Sequence, residues 1–183
     1  MAIHQITVGS RLKNYYELTK PKIWYLLVFT AFGAALTASF LFNIPIMPLT
    51  WLLLIGGVAA GSAAADTLTG YNDRDIDAIM DRTKGRPIPS GRINPKNALV
   101  FGLILAAISL ACAWFMNIWA FGLMAFGLFD NIIVYSKWLK RRSQTNIILG
   151  GFSGGAPALI GYVAVTTMNI EIGLVMAGLV FLW

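Results

Sequence analysis

The stretch LTWLLLIGGVAAGSAAADTLTGYNDRDIDAIMDRTKGRPIPSGR, residues 49–92, decides how this chain is organised. Its first half carries no charge before Asp66 and is long enough to cross a bilayer as a helix of about 20 residues. Its second half is dense in charge, for five of the eight acidic residues of the chain lie between Asp66 and Asp81. Continued on one helix at about 100° per residue, Asp66, Asp73, Asp77 and Asp81 fall within roughly a quarter-turn arc, and Asp75 points the other way. Carboxylates stacked at i,i+4 repel one another, so the stripe calls for a cation. Mg²⁺ is the natural guest: it is a hard ion that takes one or two carboxylates and completes its shell with water and substrate phosphate. Arg82, Lys84, Arg86 and Arg92 follow at once and supply positive charge for the same phosphate. The plain alternative is a solvated loop of mixed charge. Position argues against it, since an ionisable cluster at the end of a membrane span is a functional hypothesis by default.

Working outward, 57% of the 183 residues are hydrophobic and 12% are charged, with a mean hydropathy of +0.70. The reading is an integral membrane protein. Cys112 is the single cysteine and lies in an apolar run, so there is no disulfide or cysteine-metal framework, and it reads as a small packing residue. His4 stands alone in the N-terminal tail. No removable targeting segment is evident at the N-terminus.

Residues 1–18 read as a short polar tail. Pro21 opens the first span, to Phe42, because a helix does not use the N–H at its first position. The second span runs from about Leu49 to Gly70, and the small residues of its latter half allow close helix approach or widen a cavity. Pro87, Pro89 and Gly91 break the chain, and Asn94 with Pro95 forms a cap and first-turn pair for a third span to Phe115. A fourth span follows to about Trp138. A fifth begins near Asn146 and is interrupted by glycine pairs and Pro157, the pattern of a helix that kinks or lines a cavity. The last apolar run, 172–183, has about half the length a span requires. The fold class expected is therefore all-α, a polytopic transmembrane bundle of five spans and a partial sixth. The chain is expected to be one membrane-embedded domain, incomplete at its C-terminus.

All 14 Lys and Arg lie before or at the start of the first span, after the second, or after the fourth. Since Lys and Arg accumulate on the cytoplasmic side, the N-terminus and both charged loops are expected to be cytoplasmic. Trp24, Trp51, Trp114, Trp119 and Trp138 lie near span ends, where an aromatic belt anchors helices. A carboxylate, Mg²⁺ and phosphate arrangement beside a membrane cavity suits a substrate with a diphosphate head and an apolar tail. Loss of diphosphate would leave an allylic cation for an electron-rich acceptor, which the residues do not identify. A transporter or channel fragment that binds a cation in transit remains a competing reading, and so does a purely structural subunit.

The run NDRDIDAIMDRTKGRPIPSGRINP, residues 72–95, resembles the first aspartate-rich motif of the UbiA superfamily of intramembrane prenyltransferases. Within it the run is most similar to the protohaem IX farnesyltransferases, or haem O synthases, whose pattern is DRDIDAxMxRTxxRPxPSGRIxP. LTKPKIWYLLVFT (18–30), YSKWLKRRSQTNIILGG (135–151) and GAPALIGYVAV (155–165) are similar to the same branch. The resemblance implies a nine-helix bundle in a prokaryotic plasma membrane. It also implies a Mg²⁺-dependent transfer of farnesyl from farnesyl diphosphate to a vinyl group of haem B, giving haem O and diphosphate. Other acceptors found in the superfamily are an aromatic acid, a chlorophyll precursor and a glycerol lipid. By motif position Asp73 and Asp77 become the Mg²⁺-diphosphate aspartates, with Arg82, Lys84 and Arg86 as diphosphate contacts and Lys140, Arg141 and Asn146 as further polar candidates. Asp66 and Thr69 stand where the family commonly has Asn, and complete the expected metal set. The second aspartate-rich motif of the superfamily lies beyond Trp183, so this chain is expected to be part of a longer protein and inactive alone. No nucleic-acid partner is expected.

Overall fold

Helix entry is set by proline. Pro21, Pro48 and Pro95 each occupy the first turn of a long apolar helix, and Asn94 caps the last of these by accepting from the Lys96 N–H at 2.9 Å. The computed structural model describes residues 8–140 and 146–182, with the side chains of residues 8 and 146–149 left aside. Eight helices follow in order: α1 Val8–Leu18, α2 Pro21–Phe42, α3 Pro48–Asn72, α4 Arg74–Ile79, α5 Pro95–Met116, α6 Ile118–Phe129, α7 Asn146–Val163 and α8 Ile170–Leu182. Helix α6 continues without a break as a π-helix, Asp130–Leu139. Among the described residues α2, α3, α5 and α6 with its π continuation are long and apolar enough to cross a membrane, and α8 is a shorter apolar helix. The molecule is an all-α, polytopic bundle of an integral membrane protein.

Two expectations are corrected. The N-terminal segment read as a polar tail is helical from Val8, because Tyr15 and Leu18, three apart, share a face: Tyr15 meets the Phe101 ring edge-on at 5.0 Å, and Leu18 is buried with Ile88, Ile93 and Ala98. The single helix expected to carry the acidic stripe is broken. Helix α3 ends at Asn72, and Asp73 (φ −90°, ψ 2°) joins it to the six-residue α4. Asn and Asp compete for backbone hydrogen bonds and favour helix ends over interiors. Met80 then turns into extended geometry, which carries Asp81 out into solvent, its side chain 96% exposed.

Small residues set the packing. The buried face of α2 is Ala31, Ala34, Ala35 and Ala38, and α7 lies against it so closely that a Cβ on Gly161 would collide with the Ala31 carbonyl. Likewise α3 presents Gly57 to Cys112 of α5 and Gly61 to Ser109 of α5 and Met124 of α6. Without a hydrophobic drive between helices in lipid, such close backbone approach is what holds them. Tyr162, fully buried, closes the α7–α8 turn by donating to the carbonyls of Met168 and Asn169 at 2.7 and 3.0 Å. Asn117 caps α6 and reaches the Val163 carbonyl at 2.8 Å, tying α6 to the end of α7. Of the tryptophans, Trp114, Trp119 and Trp138 face outward, whereas Trp24 donates to Thr19 and Trp51 packs on Phe32.

Gly161→Val should lower the thermal midpoint of the detergent-solubilised protein, by an overpacking cost of about 1–3 kcal/mol. Gly178→Ala, where an added Cβ meets nothing within 4 Å, should leave the midpoint near wild type; equal loss in both would remove the α2–α7 contact as the cause.

Candidate functional site

The charged ends of α2, α3 and the π segment meet at one end of the bundle. Each acid of the expected stripe finds a base from another part of the chain or from the following turn. Asp66 of α3 accepts from Lys20 Nζ at 2.9 Å, Asp73 pairs with Lys140 at the end of the π segment, and Asp77 of α4 accepts from Arg86 Nη1 at 2.7 Å. Asp81 pairs with Lys84 at 2.7 Å on the surface, where an ion pair contributes little. Asp73 and Asp77 are almost completely buried, and a buried carboxylate persists as an anion only when paired and hydrogen-bonded. The π segment supplies the means at Asp73. Ser136 and Lys140 lie four residues apart on it and both reach this carboxylate, Ser136 Oγ at 3.5 Å. Asn72 fastens the segment to α3 by donating to the Ile132 carbonyl at 3.2 Å.

Below these pairs lies a cavity of about 610 Å³. Its mouth holds four basic side chains, Lys20, Arg82, Arg86 and Lys140, against two acidic ones, Asp66 and Asp73. Its body is apolar, walled by Ile23, Leu27, Val58, Leu123, Met124 and Ile160. Pro157 of α7 also lines it, as the glycine- and proline-broken fifth run suggested. A second cavity of about 220 Å³ lies between the end of α1 and the loop after α4, sharing Lys20, Asp66 and Arg86 with the first and adding Asp77.

The sequence-predicted residues divide accordingly. Asp66, Thr69, Asp73, Arg82, Arg86 and Lys140 line the large cavity and Asp77 the small one. Lys84 is held on the surface by Asp81, and Arg92, expected to face the phosphate, is turned to Glu17. Arg141 and the side chain of Asn146 lie outside the described residues. Lys20, Tyr135, Asn131 and Ser153 were missed. For Lys20 a signal existed: it immediately precedes Pro21, so it sits at the start of a span on the same face as the acidic run. The other three lie 50 or more residues beyond the end of that run, and only the tertiary fold brings them to it.

The donor set suits Mg²⁺ together with a phosphate rather than alone. Among the described residues no three acidic, His or Cys side chains come together to hold an ion, yet Asp66 Oδ2 is buried at the cavity wall with no hydrogen-bond partner. One or two carboxylates with the shell completed by phosphate and water is the usual Mg²⁺ arrangement.

Comparison with known proteins gives the family. The chain is 57% identical, over 95% of its length, to protoheme IX farnesyltransferase 2 of Cenarchaeum symbiosum, and 44% identical, again over 95%, to protoheme IX farnesyltransferase of Thermoplasma volcanium. It spans 59% and 60% of those relatives' lengths. Its fold is similar to that in a structural study of digeranylgeranylglyceryl phosphate synthase (TM-score 0.83, 26% identity, 94% of this chain and 59% of that one). It is also similar to a UbiA homologue of Archaeoglobus fulgidus bound to DMAPP and Mg²⁺ (TM-score 0.70, 21% identity, 92% and 60%), a likeness of fold alone. With residues 26–183 matching the model of the UbiA prenyltransferase family, the helix bundle and its charged cavity mouth belong to a chain that is a member of that family.

Proposed function

We propose that the full-length protein transfers a farnesyl group from farnesyl diphosphate to a vinyl group of haem B, with uptake of one water, giving haem O and diphosphate. The observation that carries this reading is the two-part cavity: a net positive mouth for a diphosphate and an apolar body for an isoprenoid tail. The acceptor rests on the names of the relatives at 57% and 44% identity. Glycerol-lipid transfer is the second reading, supported by the 26% identity to digeranylgeranylglyceryl phosphate synthase. The chain is read as one membrane-embedded domain with α7 as a fifth span and α8 as part of a sixth. Its N-terminal helix and charged loops are read as cytoplasmic, since its basic residues gather at one end.

In this reading Asp73 and Asp77, with Asp66 and Thr69 beside them, would hold Mg²⁺, which when bound would neutralise the charge that builds on the leaving diphosphate. Lys20, Arg82, Arg86 and Lys140 bind the phosphate oxygens and stabilise the same charge. Arg82 makes no ion pair among the described residues and meets the incoming anion first. Lys140 and Arg86 exchange their carboxylate partners for phosphate oxygens, which frees Asp73 and Asp77. The apolar walls of the cavity orient the tail and keep water from the allylic carbon as its bond to oxygen breaks and the electron pair leaves with the diphosphate. The acceptor π electrons then form the new carbon–carbon bond at the outer vinyl carbon, and the cation this leaves on the inner vinyl carbon takes up one water and releases a proton, which gives the hydroxyl of haem O.

Incubation of the full-length protein with farnesyl diphosphate, haem B and Mg²⁺ should yield a product of haem O mass by mass spectrometry. Transfer to a glycerol-phosphate lipid with none to haem B would establish the second reading instead. Asp73→Asn and Asp77→Asn should each lower transfer by on the order of 10²–10³-fold, and the exposed Asp75→Asn should lower it far less; activity retained in both of the first two would overturn their assignment.

Because Asp73 and Asp77 already have basic partners, Mg²⁺ alone should bind weakly. Addition of inorganic diphosphate should tighten it by about tenfold or more, a coupling of the size common between linked sites. Calorimetric titration that gives the same Mg²⁺ affinity with and without diphosphate would contradict the exchange of partners.

A further inference from the structure

Arg92 was expected at the phosphate and is not there. Its guanidinium makes five hydrogen bonds in another direction. It grips the Glu17 carboxylate with both arms, at 2.7 and 2.9 Å, and reaches Asn14 Oδ1 at 2.9 Å, so that two residues of α1 are bound. The remaining two bonds go to the loop between α4 and α5: to the Gly85 carbonyl at 2.6 Å and, through Nε, to Ser90 Oγ at 3.1 Å. Ser90 Oγ in turn donates to the Arg86 carbonyl at 2.6 Å. The backbone of Arg86 is thereby fixed on both sides, at the residue before it and at its own carbonyl. Its side chain extends from that anchor to Asp77 and lines both cavities.

The other end of the clasp is firm as well. Helix α1 is seated on α5 through Tyr15 and Phe101 and through Leu18 in its small core with Ile88, Ile93 and Ala98. Gly91 gives the loop the left-handed turn (φ +74°) that returns Arg92 toward α1. The Arg92 guanidinium beside Glu17 holds the glutamate carboxyl below its usual range, with Lys13 assisting. The pair is therefore intact throughout the pH range in which carboxylates are ordinarily ionised.

We propose that Arg92 is a positioning residue: by clasping α1 to the loop of residues 80–94 it fixes Arg86 at the diphosphate end of the cavity. This rests on the functional reading above for the identity of the anion, but the clasp itself does not. A planar fork with five donors is required, and lysine, with three donors on one nitrogen, cannot bridge Glu17, Asn14, Gly85 and Ser90 together.

The test uses the full-length protein and two measurements. Inorganic diphosphate with Mg²⁺ serves as the ligand in a binding titration of wild type, Arg92→Lys, Glu17→Gln, Arg86→Lys and the Arg86→Lys/Arg92→Lys double variant. Arg92→Lys and Glu17→Gln should each weaken binding by roughly 3- to 10-fold, and the double variant should bind no more weakly than Arg86→Lys alone, the non-additivity expected of residues acting through one another. Additive losses, or unchanged binding in Arg92→Lys and Glu17→Gln, would overturn the proposal. Hydrogen exchange read without ligand supplies the second measurement: the amides of residues 84–91 should exchange faster in both clasp variants, while those of α3 and α5 keep wild-type protection. Unchanged exchange in 84–91 overturns the clasp whatever the titration gives, and general loss of protection across α3 and α5 would reduce Arg92 to a residue needed for folding. A wild-type protein that binds no diphosphate but whose loop loosens in the variants would sink the functional reading and leave the clasp standing.

Discussion

Charged carboxylates at the edge of a membrane interior must be paired, and the polar end of this molecule is arranged around that requirement. Asp73 and Asp77 are both buried, so each needs a base within hydrogen-bonding distance. The bases come from elsewhere in the chain: Lys20 precedes α2, Lys140 ends the π segment, and Arg86 lies in the loop beyond α4. Pairing these groups brings the ends of three membrane helices and one loop to a single mouth. Part of the positive charge that the stripe calls for is supplied by the protein's own side chains.

Those pairs also give the site its chemistry. Removing a buried partner outright leaves a bare charge and is costly, but exchanging one partner for another is not. In the proposed function, a diphosphate that took Lys140 and Arg86 would leave two carboxylates in want of a cation, and a divalent ion arriving with the diphosphate would satisfy both demands. The apolar body of the cavity exists because α3 and α7 are built from small residues near it: Gly61, Ser62 and Ala65 on one side and Gly150, Gly154 and Ala156 on the other leave space that larger side chains would fill. The same residue class closes the α2–α7 and α3–α5 contacts elsewhere along these helices. A single compositional feature therefore both binds the bundle together and opens it.

Much of this was legible in the sequence. Span limits followed from apolar length and from punctuation by proline and asparagine, and Pro21, Pro48, Asn94 and Pro95 lie at the helix starts. The motif from Asn72 to Pro95 led to the family now shown. What failed was continuity. Periodicity assumes one unbroken helix, and the break at Asp73 destroys the stripe: Asp66 and Asp73 stay at the large cavity, Asp77 turns to the small one, and Asp81 goes out into solvent. The helical N-terminal segment was hidden because two inward residues, Tyr15 and Leu18, are too few to register as an amphipathic pattern. Arg92 was misread because a basic residue in a phosphate motif was taken to face the phosphate, whereas its geometry is set by Glu17, 75 residues away. The π segment left no local signal, since its register is fixed by Asn72 and Asp73 across the bundle.

The most direct measurement is an experimental structure of the full-length protein with Mg²⁺ and an unreactive thio analogue of farnesyl diphosphate. The account predicts the isoprenoid among Ile23, Leu27, Val58 and Leu123, the diphosphate between Arg82, Arg86 and Lys140, and Mg²⁺ held at Asp73 and Asp77, with the Lys140–Asp73 pair opened. A ligand bound elsewhere while both the Lys140–Asp73 and Arg86–Asp77 pairs remain closed would contradict it.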